Sequence, residues 1–195
     1  MANAAAMDEM PTLRKTGRPA DSASTTAEAH RQAWYEDFVA RAKGTNVNER
    51  TLLATDYLNH VNEIIMLLEL VPDAPECLED CRAWQPKTYV QHFEESSIAD
   101  RDLAIAAYPY SPPEFRRIFD RLVMEMNRLV GRALPAIEAA NAKADEQRCR
   151  HIVEMSVNGL RAMVDQASAA IHGDAQVMGQ AAIDELMERS TASWA

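Results

Sequence analysis

Asp56, His60 and Glu63 are spaced by four and three residues, which on a helix turning about 100° per residue sets an imidazole between two carboxylates along one edge. Such a set could hold a metal ion, with His60 and Glu63 as ligands, or carry a proton, with His60 as the carrier and Asp56 and Glu63 as orienters. It could equally be a hydrogen-bonded polar cluster on the rim of a core, the commoner role for an inward histidine. A second pair, His151 and Glu154, repeats the His-x-x-Glu order. It falls with Gln147, Asn158 and Asp165 on the polar side of its helix, so only His60 points inward. Carboxylate-bridged metal sites in helical bundles use the reverse order, Glu-x-x-His. Cys77 and Cys81 lie one helical turn apart, with His92 within reach if short helices fold back. Structural zinc takes four ligands, so Glu76 or Asp80 would have to supply the last; otherwise these are buried free thiols. No glycine-rich phosphate loop, nucleophile elbow or Ser/His/Asp set can be read from the chain.

The element that must position His60 is the stretch from Glu49 to Val71, read as one amphipathic helix. Leu53, Tyr57, Val61, Ile64, Leu68 and Val71 share a sector, and His60 falls at its edge. Around it the composition favours helix. The 195 residues are 47% hydrophobic, with 6 glycines and few aromatic residues, which suits one domain with a helical core rather than a sheet. The net charge of −10, with no basic stripe, argues against a nucleic-acid surface. No leader with a basic segment and an apolar run opens the chain, and no stretch is long enough for a bilayer span, so no membrane association and a cytoplasmic location are expected. Three cysteines fit reduced thiols, not a disulfide framework. No cofactor is indicated.

Along the chain, residues 1–26 read as a disordered leader, 27–172 as a helical bundle domain and 173–195 as a flexible tail. The bundle is expected to be antiparallel with about four long helices. The first runs from Thr26 to Lys43 with Trp34, Phe38 and Val39 inward, and the second is the Glu49 helix. The third is capped by Ser111, opened by proline, striped with Phe115, Ile118, Phe119, Leu122, Met126, Leu129, Val130 and Ala133, and interrupted at Pro135. The fourth runs from about Ala136 or Asn141 to Ile171 and closes at His172-Gly173. Short helices over Pro75–Ala83, Pro86–Ser96 and Asp100–Tyr108 form an insert. Trp84, Tyr89, Tyr108 and Tyr110 around it form either an interface or the lid of a small core.

In the tail, Gly179-Gln-Ala-Ala-Ile-Asp-Glu-Leu-Met187 resembles the short docking peptide of flagellar switch proteins, which carries a Gln-Ala/Asp-x-Ile-Asp-x-Leu-Leu pattern. The resemblance covers about nine residues, lies at the C-terminus instead of the N-terminus, and has methionine at the last leucine. It implies an apolar face made by Ile183, Leu186 and Met187, a polar contact from Asp184, and a phosphorylated response regulator as partner. A face at i, i+3, i+4 is what helix-in-groove docking requires; the other reading of the same segment is an unspecialised frayed helix or one that packs on its own chain. The chain is accordingly expected to be an acidic, cytoplasmic, all-α interaction or regulatory protein of bacterial signalling that binds another protein through Ile183, Asp184, Leu186 and Met187. A metal-binding bundle enzyme or sensor using Asp56, His60 and Glu63 is the alternative, and a homodimer completing the bundle stays open.

Overall fold

The computed structural model describes residues 20–174 and 180–192, and these are all-helical, with eight α-helices and no strand beyond an isolated Val47–Ala54 bridge. Helix α1 spans Ala20–Ala42, so residues 20–26 of the expected leader are helical; residues 1–19 lie outside the described set. Gly44, at φ +75°, ends it. Phe38 is buried and Val39 half-buried as expected, but Trp34 is 40% exposed, stacking on Phe38 and Tyr110 at the surface.

The expected Glu49 helix begins nine residues late. Helix α2 is Leu58–Leu70, preceded by a 3-10 turn at Thr55–Tyr57. The reason lies upstream: the Asn48 side chain accepts from the Arg50 and Thr51 amides, and Leu52 adopts a positive φ of 57°, so the chain turns before it can wind. Thr51 fixes the turn by donating to the Ile171 carbonyl at 2.5 Å. The apolar sector survives this change, with Leu53, Tyr57, Val61, Ile64, Leu68 and Val71 all buried.

The insert is close to expectation: a 3-10 turn at Pro75–Cys77, then α3 (Leu78–Ala83), α4 (Tyr89–Glu94) and α5 (Arg101–Ala107), followed by a 3-10 turn at Tyr108–Tyr110. A reciprocal Thr88–Gln91 capping box, not Pro86, starts α4. Trp84 and Tyr89 are buried and Tyr108 and Tyr110 half-buried, so the rings form the lid of a core.

Helix α6 runs from Pro113 to Ala142, through Pro135. Ser111 does not cap it; the N-cap position is Pro112, and the Ser111 hydroxyl is buried without a partner. Pro135 lies on the exposed side, while Ala133, Ile137 and Ala140 stay buried, and that continuous packing carries the helix past the lost hydrogen bond. The break falls instead at Lys143–Asp145, where Ala144 has φ +52° and Asp145 caps α7 (Glu146–His172) through the Arg148 amide. Gly173, at φ +78°, closes α7 where expected. With a three-residue connection, α6 and α7 form a long αα-hairpin.

The arrangement differs from four long helices in a simple bundle. Helix α2 packs on α7, α3 bridges α2 and α6, and α1 packs chiefly on α5 and the Tyr108 turn. The last helix, α8 (Gln180–Ala192), lies on α7 and α6. Among the described residues no helix is long and apolar enough to cross a membrane.

Candidate functional site

The Thr55–Tyr57 turn and the first turn of α2 present Tyr57 and His60 to the loop that joins α3 to α4. Four hydrogen bonds fasten that insert. The His60 Nε2–H donates to the Gln85 carbonyl at 2.9 Å, the Trp84 indole donates to the His60 carbonyl at 3.0 Å, Tyr57 donates to the Lys87 carbonyl at 2.7 Å, and Tyr89 accepts the Ala54 amide at 2.9 Å. Because a carbonyl only accepts, the Gln85 bond places the proton on Nε2 and leaves Nδ1 as an acceptor, 3.8 Å from the Glu63 carboxylate. The imidazole stacks on Trp84 with centroids 4.6 Å apart. His92 of α4 lies 5.8 Å from His60 between centroids, and its Nε2 is buried without a partner.

Burial pushes both imidazoles below their usual pKa; the Lys87 ammonium adds to the effect on each, and the Gln85 and Asp56 carbonyls oppose it at His60 and His92 respectively. Burial likewise raises the Tyr57 and Tyr89 phenols. The folded chain therefore favours neutral histidines, whereas the unfolded chain takes up protons near the usual pKa of 6.5. Their contribution to stability is complete above that pH and declines as the pH falls below it. Urea midpoints are expected to drop between pH 7 and pH 5, and His60→Gln and His92→Gln to flatten the drop; an unchanged drop in both variants would place its origin elsewhere.

Of the three residues singled out in the sequence, the fold groups only two. His60 and Glu63 border a depression of about 440 Å³ with Trp84, Lys87, Gln91 and Glu95. Asp56 lines a separate polar groove with Asn59, Asn62, Asp165 and Ser168. Glu63 is largely exposed, and Glu95 is paired with Lys87 at 2.8 Å. Among the described residues no group of three or more His, Cys, Asp or Glu side chains is placed to hold a metal ion. His92 stands among Tyr57, His60 and Phe93, and among the described residues it forms no metal-holding group with Cys77 and Cys81. Cys77 and Cys81 are free, with the Cys81 thiol pushed up to about 11 by burial. The geometry is that of a polar staple between α2 and the insert.

The second candidate is α8. Ile183 is 2% and Met187 7% exposed, Leu186 is half-buried, and Asp184 accepts from Arg121 Nη2 at 3.2 Å. The face expected to bind a partner thus lies on the α6–α7 hairpin of its own chain. The sequence pattern identified the face but not what it covers. What it missed is the seat. A Cβ on buried Gly159 would stand 2.3 Å from Ser190 Oγ and 3.0 Å from Leu129 Cδ2, so α8 approaches α7 where a side chain is lacking. Glu125 is also in the seat's charge network: only 2% exposed, it lies 3.0 Å from Arg121 Nε, while Arg128 is 3.7 Å away. Its Oε2 makes no hydrogen bond. A lone glycine inside a strongly helical stretch was the available signal.

No known family model, curated protein sequence or solved structure matches the chain.

Proposed function

We propose that this chain is a helical interaction protein of the cytoplasm with a regulatory role, acting through contacts that α8 makes when it leaves its seat. The observation that carries this reading is the contrast between α8 and the hairpin beneath it. Burial of Ile183 and Met187 contributes about 1.5 to 3 kcal/mol each, and a 13-residue helix is marginal on its own in water. The Arg121–Asp184 pair is half-exposed and adds little. In the docked state Glu125 Oε2 is buried without a hydrogen bond. The docked and released states therefore differ by little, and a partner groove for the same face can compete.

The partner class suggested by the Ile183-Asp184-x-Leu186-Met187 pattern is a response regulator, whose groove would take the face that the hairpin now covers. Since only the released fraction is competent to bind, emptying the seat should raise apparent affinity. Three full-length baits test this by affinity capture and quantitative mass spectrometry: wild type, Ile183→Glu and Gly159→Leu. Partners should fall at least tenfold with Ile183→Glu and be enriched with Gly159→Leu. Equal recovery of the same proteins on all three baits would contradict a role for α8.

A further inference from the structure

Three features of the α6–α7 seat specify its occupant. Gly159 leaves a notch that admits Ser190 Oγ, and an alanine methyl there would already collide. Arg121 marks the other end by bonding Asp184. Between them the hairpin buries Ile183 and Met187. The seat is therefore a helix receptor for apolar residues at i and i+4, an acid beside the first, and a small residue three positions after the last. These requirements are met in full by α8, and every copy of the chain carries one.

Six residues, 174–179, separate Gly173 from the start of α8. At about 3.3 to 3.6 Å per residue a six-residue connection extends to roughly 20 Å at most, which bounds how far an exchanged α8 can lie from its own hairpin. We infer that the α6–α7 seat also receives α8 of a second copy of this chain, so that two copies exchange their last helices. The inference rests on the reading that α8 leaves its own seat. Reciprocal exchange uses the same contacts twice and closes as a two-fold pair, without exposing a further seat to recruit more copies. Within one chain the short connection gives α8 an effective concentration in the millimolar range. Wild type at micromolar concentration should accordingly be monomeric, and exchange should appear once the intramolecular competitor is removed.

Two full-length variants remove it from opposite sides. Ile183→Glu keeps a normal seat but cannot fill it; Gly159→Leu keeps a normal α8 but cannot receive it. Each should sediment as a monomer alone. Mixed at about 100 µM each, they should form a 1:1 species of doubled mass. Adding Asp184→Arg to the Gly159→Leu chain should weaken that species at least several-fold. Gly159→Ala provides a milder donor should leucine disturb the hairpin, and circular dichroism confirms that each variant is folded. A mixture of folded variants that sediments as two monomers would overturn exchange, as would a Gly159→Leu chain that dimerises alone, since its own seat is blocked. Partner capture that depends on Ile183 while mixing fails would refute exchange and leave the proposed function standing. Mixing that succeeds while capture is independent of Ile183 would do the reverse.

Discussion

Gly159→Leu is expected to detach α8 and leave the hairpin beneath it folded. Glycine in a helix interior costs about 1 kcal/mol relative to better helix formers, so α7 itself gains from the change. The added side chain meets Ser190 on α8 and one movable methyl of Leu129. Overpacking of this kind costs about 1 to 3 kcal/mol, and the least strongly held element yields first. That element is α8, which buries two apolar side chains, Ile183 and Met187, whereas α7 buries Ile152, Val153, Val157, Leu160, Met163, Ala167 and Ile171 along its length. Limited proteolysis should cut within 174–192 at least tenfold faster than in wild type, with the melting of the remaining bundle shifted by only a few degrees. Unchanged cleavage, or collapse of the whole helical signal, would show that the seat and the hairpin are one cooperative unit.

Trp84→Ala is expected to have the largest effect on stability, about 3 to 5 kcal/mol. The indole fills the space between α2 and the insert, covers the His60 ring and donates to the His60 carbonyl. Removing it leaves a cavity and exposes the Gln85–His60 bond to water, so α3 and α4 lose much of their hold on α2. Trp84→Phe, which keeps a stacked ring and loses one hydrogen bond, should recover most of the loss, leaving about 1 kcal/mol. Urea denaturation followed by circular dichroism measures both. Equal losses for alanine and phenylalanine would mean that the indole N–H, and not packing, holds the insert.

What could be read from the sequence depended on whether a residue's neighbours are local. The stripe through Phe119, Leu122, Met126, Leu129 and Ala133 is a property of one helix, and it indicated α6 correctly; so did Gly173 as the end of α7. Pro135 misled because its local preference is overridden by burial of Ile137 and Ala140 against α7. The start of α2 misled for the opposite reason: the periodicity from Leu53 onward is real, yet the Asn48 turn and the Thr51–Ile171 bond set the backbone. His60 was recognisable as an inward residue of an amphipathic helix. His92 was recognisable as a histidine but not as its neighbour, because that pairing depends on where the insert folds back. The apolar face of α8 was equally visible. Its cover was not, since Gly159 and Arg121 lie in other helices and neither shows from its own surroundings that it forms a seat.

The central claim, that α8 is held far less firmly than the hairpin it covers, is tested most directly by amide hydrogen exchange on the wild-type chain. Amides of 183–192 should exchange together, at least a hundredfold faster than those of 152–163 in α7, and should do so without any change in the hairpin's own protection. Protection of α8 equal to that of α7, lost only when the whole chain unfolds, would contradict the account.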